Sequence, residues 1–526
     1  MSPCAIHGAV LSHPRSLRRA LTTSFGLVAL LVSLFAWAFA SPIGASPDED
    51  YHLVSVWCAR GEIPGTCETG ASDASREVPV AVRQSACYAF DPAKSAQCQV
   101  EPLASDELID TDRGNFRGDY PPVFYAVMSV FVGSDPSFSV LVMRMVNATL
   151  VVTLVAAVAL VAPAGVRRPL VLALVACAVP FGMFLVPSIN PSGWAIAAVP
   201  LTFAATAGFL RVDGRRVVAL GALAGVGVLM GAGARSDAAL YLILALVVAV
   251  FVSVRVRRTD APRLLWVAAL VVAAAASFLS SGQSSAAASV REEPGSLKEL
   301  VDILVTVPWL WEGNFGSWGL GWLDTGLPPV VSVVGWAVFS GALVLCLSGR
   351  GGRWGLGVAG VAAAVLVVPA YIQYASGVPV GEGVQPRYVL PLMVLLLVVA
   401  GLRLRGAALR LVPAQRWVMV AALATTNAVA LHTNIRRYVT GNDVATLDLD
   451  AGVEWWWGLP IGPLGVWAVG AVAFGVALTL LTGELARPTR ADALTPLRLP
   501  ALRRRPATTH EEPTHRAAPA AETVAR

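Results

Sequence analysis

Apolar residues occur along this chain in runs of roughly 17 to 25, separated by short polar punctuation. A helix rises about 1.5 Å per residue, so one such run just crosses a hydrocarbon layer of about 30 Å. Backbone N–H and C=O groups cannot stay unpaired in lipid, which leaves helices as the structure of these runs. The pattern predicts an all-α polytopic membrane protein of about twelve transmembrane helices. They fall at 21–42, 138–162, 169–187, 193–210, 217–233, 238–254, 263–281, 329–347, 354–372, 387–402, 415–432 and 461–483. An even count puts both termini on one side. The pair flanking Gly233-Ala234-Arg235-Ser236-Asp237 has almost no loop, and a single broken element there would invert every later side assignment.

Composition strengthens this picture. The 526 residues are 56% hydrophobic and 14% charged, with a mean hydropathy of +0.65, whereas soluble domains are about a quarter charged. The net charge of +5 matters less than its placement. Basic clusters recur at Arg167-Arg168, Arg211 to Arg216, Arg255 to Arg258, Arg350 to Arg353, Arg403 to Arg410 and Arg487 to Arg490. One alternating topology puts all of them, and both termini, in the cytoplasm, as the positive-inside rule requires. Basic loops of this kind imply no nucleic-acid partner. The run Ser24 to Ala40 follows Arg15, Arg18 and Arg19 and has the look of a signal peptide with a cleavage site at Phe39-Ala40-Ser41. Its length and the many later spans favour an uncleaved first helix.

The chain then divides into a cytoplasmic N-terminus (1–20), a membrane domain (21–483) and a tail (484–526) rich in Pro, Arg, Ala, Thr and Glu, expected to be disordered and cytoplasmic. Segments 43–137, 282–328, 373–386 and 433–460 fall outside. The first carries more than twice as many acidic residues as Lys and Arg, the reverse of the cytoplasmic loops. It also holds Cys58, Cys67, Cys87 and Cys98, an even number that reads as two disulfides, with spacing favouring 58–67 and 87–98. Ser296 to Val307 has helical apolar spacing suited to lying on the membrane surface. It leads into the Trp-rich stretch Pro308 to Trp318, and Trp455-Trp456-Trp457 precedes the last span. An interfacial aromatic belt accounts for these tryptophans, and a groove for a lipid chain or a sugar is the alternative.

Candidate chemistry gathers just outside the spans. Asp48, Glu49 and Asp50 crowd the exit of the first span beside His52, where like charges and a helix end could raise one carboxylate toward the range of a base. An acidic turn solvated by water is the plain alternative. Arg117-Gly118-Asp119-Tyr120-Pro121-Pro122-Val123-Phe124-Tyr125 has a double proline that would fix Asp119 and Tyr120 before a short apolar helix. Arg144, Arg235 and Arg387-Tyr388 lie at outer ends of spans, where a guanidinium must snorkel or meet an anion. A lipid phosphate is the natural anion at that depth. Asp237 could instead pair with Arg235. Asn190-Pro191-Ser192-Gly193-Trp194 is an ordinary tight-turn set.

The ordered pieces Pro47-Asp48-Glu49-Asp50-Tyr51-His52, Asp119-Tyr120-Pro121-Pro122-Val123-Phe124-Tyr125, Asn190-Pro191-Ser192-Gly193 and Gln385-Pro386-Arg387-Tyr388-Val389-Leu390-Pro391 resemble a family of large, poorly characterised bacterial membrane proteins. That family is related to the GT-C glycosyltransferases, which use polyprenyl-phosphate sugars. The resemblance implies a GT-C-like fold in the bacterial inner membrane with its active site on the extracytoplasmic side. Asp48 or Glu49 would be the catalytic carboxylate, acting on the acceptor hydroxyl. His52, Asp119, Tyr120, Arg387 and Tyr388 would bind substrate, Arg387 at the family's Arg-Tyr position; Arg144 and Arg235 join them from their depth at span ends and not from the resemblance. The implied partners are a polyprenyl-phosphate sugar donor, a lipid-linked or cell-envelope acceptor, and membrane lipids. A divalent cation, Mg or Mn, is the cofactor such an acidic cluster could take, although its spacing specifies no ligand set. Pro386 stands where the family pattern has Gly. A polysaccharide polymerase or ligase, a transporter of lipid-linked precursors and a non-enzymatic assembly partner are the competing classes.

Overall fold

The computed structural model describes residues 14–254, 260–282, 295–347, 351–404 and 408–488. Among the described residues ten helices are long and apolar enough to cross a membrane, eleven if one bent pair counts as a single span. The bent pair is the third expected span: Ala164–Ala176 and Ala178–Leu185 meet at 91° beside a cis Val179–Pro180 bond. The expected 387–402 span is the helix Pro386–Gly401, only 16 residues long and sheathed by its neighbours along nearly all of its length. The count of about twelve is therefore corrected to ten long spans, one broken element and one short internal helix. A proline with its neighbour's backbone out of the helical region explains the break.

The first helix, Pro14–Phe39, is built into the bundle and packs closely along Pro463–Leu481. Gly26 lies against Leu481, Ser33 Oγ donates to the Gly470 carbonyl at 3.0 Å, and Trp37 Nε1 donates to Asn427 Oδ1 at 3.1 Å. Near the other terminus, the short helix Gly483–Ala486 carries Glu484 onto Arg167 at 2.6 Å. Order thus persists into the first residues of the expected tail, and residues 489–526 lie outside the described residues.

Loops gather at two ends of the bundle. At one, Arg403 N bonds the Gly165 carbonyl, Arg353 reaches the Val254 carbonyl, and Arg168 reaches the carbonyls of Leu409 and Arg487. At the other meet the segments near residues 40–50, 118–124, 190, 233–237, 282, 318–325, 385–388 and 434–440. Gly233 accepts from Phe124 N, so the tight turn at 233–237 belongs to this second end and joins two separate antiparallel helices, Arg215–Ala232 and Ser236–Ser253.

The segment 43–137 folds over that second end. It contains the helix Glu49–Trp57, a three-stranded antiparallel sheet and the helix Val123–Ser129. The sheet runs in the order Glu68–Thr69, Arg76–Pro79, Leu108–Thr111. Both disulfides pair as spacing favoured, Cys58–Cys67 and Cys87–Cys98. The amphipathic stretch forms the helix Leu297–Thr306, capped by Ser296, and packs on the helix Arg353–Ser376. Ile303 faces inward while Leu297, Val301 and Val305 stay exposed.

Candidate functional site

The chain leaves the first helix as an irregular strap of turns and bends and turns sharply at Asp48, whose φ of 58° is a left-handed value that Asp tolerates better than most residues. The next residue opens the helix Glu49–Trp57, so three consecutive carboxylates point in different directions. Their fates differ. Asp48 is 37% exposed, Asp50 8% and Glu49 0%, which leaves Asp48 as the member of the trio most open to an incoming hydroxyl.

Asp48 Oδ2 accepts from Arg387 Nη2 at 2.7 Å and Oδ1 from Arg113 Nη2 at 3.3 Å. Burial would raise its pKa, but the positive charge of Arg387, with Arg113 adding to it, outweighs that and holds the carboxyl below its ordinary value. Asp50 binds Arg113 through both oxygens, at 2.5 and 2.9 Å, and Arg83 at 3.3 Å. Glu49 takes Arg144 at 3.0 Å and the Ser46 N–H at 2.7 Å. Arg144, 1% exposed, also donates to the carbonyls of Ala38, Ser41 and Pro42. That pair is internal masonry: both charges are out of water and held by each other and by the strap, with only Arg144 Nε left without a partner.

Arg387 opens the helix Pro386–Gly401 and is held by Gln385 Oε1 as well as by Asp48. Its guanidinium lies 4.8 Å from the centre of the Tyr388 ring, and Arg235 covers the same ring at 4.4 Å. Arg235 pairs with Asp237 at 2.8 and 2.9 Å, as the sequence had allowed, and sits 5.7 Å from Tyr120. Two guanidiniums therefore flank one aromatic ring beside a half-exposed carboxylate.

His52 is buried, with Nδ1 2.9 Å from the Tyr125 hydroxyl. Burial, opposed by Asp48 and reinforced by Arg235 and Arg387, pushes its pKa down to about 3, so the imidazole is neutral near pH 7. Its ring meets Tyr120 edge-on at 5.3 Å, and Tyr51 lies 5.6 Å from Tyr120. Tyr51 donates to Asp119 at 3.3 Å, while Asn115 holds both the N–H and the carbonyl of Tyr120. Among the described residues no group of three His, Cys, Asp or Glu side chains could hold a metal ion; the acidic trio is committed to arginines.

The structure thus brings Asp48, His52, Asp119, Tyr120, Arg235, Arg387 and Tyr388 together, and places Glu49 and Arg144 beneath them. Sequence reasoning missed Arg113, Arg83 and Asn115. The available signal was Asp112-Arg113-Gly114-Asn115, a polar turn set directly ahead of the Arg117-Gly118-Asp119 motif. Asn190 does more than turn the chain: it caps the helix Pro191–Phe209 and donates to the Pro47 carbonyl at 2.8 Å.

Fold and site define a polytopic membrane protein with a charged, aromatic-lined cluster at one end of its bundle. The chain belongs to the family described as predicted membrane protein (DUF2142), whose model matches residues 31–396, a stretch that contains every residue from Asp48 to Arg387. No curated protein and no solved structure matches it.

Proposed function

We propose that this chain is a membrane glycosyltransferase, moving a sugar from a polyprenyl-phosphate-linked donor to an envelope glycan, glycolipid or other membrane-proximal acceptor on the extracytoplasmic face. The observation that carries the reading is the Asp48–Arg387 pair: a half-exposed carboxylate bound at 2.7 Å to a guanidinium that is otherwise buried, with Arg235 across the Tyr388 ring.

In this reading the donor phosphate competes with Asp48 for Arg387. A guanidinium binds phosphate oxygens through parallel hydrogen bonds, so the exchange replaces one charge-assisted pair by another. Asp48 then loses the positive neighbour that holds its pKa down, and becomes a stronger base as the donor arrives. It takes the acceptor hydroxyl proton as that oxygen attacks the anomeric carbon. The bond from the anomeric carbon to the phosphate oxygen breaks, and the carrier phosphate leaves with one more negative charge. Arg387 and Arg235 meet that charge as it grows. Tyr51 and Tyr120 offer ring faces, and Asp119 and Asn115 offer hydroxyl partners, for the sugar.

The test is transfer from a panel of labelled polyprenyl-phosphate sugars to native membrane lipids by the purified protein. Transfer by the parent that is lost in Asp48→Asn supports the reading. Full transfer by a folded Asp48→Asn protein removes the base while keeping the enzyme class, and no transfer with any donor moves the reading to polymerisation or transport.

A further inference from the structure

Every backbone carbonyl of the strap from Ala38 to Pro47 accepts a hydrogen bond, and almost all of the donors are side chains from distant parts of the chain. Arg144 takes Ala38, Ser41 and Pro42; Trp457 takes Phe39 and Asn434 takes Ala40. Trp322 takes Gly44, Tyr438 takes Ala45, Asn190 takes Pro47, and Glu49 N takes Ser46. An irregular segment gripped at each residue has little freedom, and the conformation it ends in is the left-handed turn at Asp48.

One carbonyl, Ile43, is held twice. Tyr88 Oη donates to it at 2.7 Å and Gln99 Nε2 at 2.5 Å, and Gln99 gives its second hydrogen to the Ser85 carbonyl at 2.5 Å. Both side chains are fully buried. In sequence each directly follows one half of the same disulfide, Cys87-Tyr88 and Cys98-Gln99. The loop that this disulfide closes is itself seated on Arg437, which donates to the carbonyls of Tyr88, Asp91 and Lys94 and pairs with Asp324 at 2.8 Å. Gly44 packs against the two residues that lead into this loop: a Cβ there would come within 3.0 Å of Ser85 Oγ and 3.1 Å of Ala86 N. The disulfide therefore fixes the spacing of two donors that converge on a point five residues before Asp48.

We propose that Tyr88 and Gln99 are positioning residues for Asp48, held at their working separation by the Cys87–Cys98 disulfide. The other disulfide, Cys58–Cys67, closes the far end of the helix Glu49–Trp57 and has no part in this grip. The consequence for activity rests on the transferase reading; the consequence for the backbone does not.

The experiment is amide hydrogen exchange on the full chain in lipid nanodiscs, comparing the parent with Tyr88→Phe, Gln99→Met, a Cys87→Ser/Cys98→Ser double variant and a Cys58→Ser/Cys67→Ser control. Exchange across Gly44 to His52 is expected to rise about tenfold or more in the first three and to stay at the parent rate in the control, whose changes should be confined to the region around residues 58–69. Equal protection of Gly44 to His52 in the parent, Tyr88→Phe and Gln99→Met overturns the proposal. Tyr88→Phe keeps the ring that packs on Tyr438, so it reads the lost hydrogen bond even if the cysteine variant fails to fold. A second readout uses Gln99→Glu, which can donate to Ile43 only when its carboxyl is protonated: transfer should fall at neutral pH and recover toward the parent rate in acid. A flat ratio to the parent across pH also counts against positioning. If the parent itself shows no transfer, the transferase reading fails alone, and the exchange data still decide the positioning claim.

Discussion

The two ends of the bundle differ in what most of their arginines meet. At the end holding residues 165, 254, 346, 403 and 484–487, guanidiniums mostly cap backbone. Arg403 serves the carbonyls of Ala400, Leu402 and Cys346, Arg168 those of Leu409 and Arg487, and Arg353 that of Val254. Carbonyls at helix C-termini lack intrahelical partners, and these arginines satisfy them. At the other end carboxylates join the partners: Arg387 pairs with Asp48, Arg113 with Asp48 and Asp50, Arg144 with Glu49, Arg235 with Asp237, and Arg437 with Asp324, while Arg144 and Arg437 also hold three backbone carbonyls each. Backbone carbonyls are fixed partners, whereas a carboxylate is one anion among many that a guanidinium accepts. The first arrangement holds helices together. The second, where it reaches solvent at Asp48, can exchange its anion for a substrate's.

The comparison breaks most sharply if the chemistry fails to follow that division. Asp48→Asn should lower transfer per folded molecule by about 10²–10⁴-fold, the usual yield of a positioned acid or base. A comparable loss of transfer from an arginine at the capping end would erase the distinction.

Next in size is the buried pair beneath the site. Glu49→Gln or Arg144→Met leaves one charge without its partner and should cost about 3–5 kcal/mol of stability. A Glu49→Leu/Arg144→Met double variant should recover part of that loss in the same melting assay. If Glu49→Gln instead melts like the parent and loses only transfer, Glu49 is the working carboxylate.

Arg403→Met strips donors from three buried carbonyls and should cost about 1–3 kcal/mol, with transfer per folded molecule unchanged. The last effect, visible only below neutral pH, is acid sensitivity at His52. Its folded pKa lies below the ordinary value near 6.5, so the folded state resists protonation that the unfolded state accepts. Stability is therefore lost as pH falls from about 6.5 toward about 3, and a His52→Gln protein should show a shallower decline over that window. Asp48 works in the same sense at lower pH. Its lowered pKa contributes stability that is complete above about pH 4 and lost only below, so a decline confined to more acid pH would be its signature.

Much of this was legible in the residue pattern. The apolar runs located nearly every membrane helix because burial in lipid leaves no other structure for them, and the even cysteine count in one acidic segment called for two disulfides, whose pairing the spacing favoured among three connectivities. Asp48, Arg235 and Arg387 stood out because charge next to hydrocarbon demands a partner. What the pattern could not separate was Asp48 from Glu49, since neighbours in sequence differ here only by a left-handed turn that aims one at the surface and the other at Arg144. Nor could it find Tyr88, Gln99 or Asn434, whose part is to bond carbonyls far away in sequence. The third span looked continuous because hydropathy is blind to backbone direction, although Pro180 within it was the clue.

The short helix Pro386–Gly401 has a further consequence. At about 1.5 Å per residue it spans about 24 Å, against about 30 Å for a hydrocarbon layer. Because neighbouring helices sheath it, no lipid must thin to match it. Arg387 in its first turn is enclosed by the same neighbours, with 2% of its side chain exposed beside a carboxylate that reaches solvent. A charge so enclosed is poorly screened by salt, so the pull on an arriving anion should persist at ionic strengths that would silence the same arginine on an open surface.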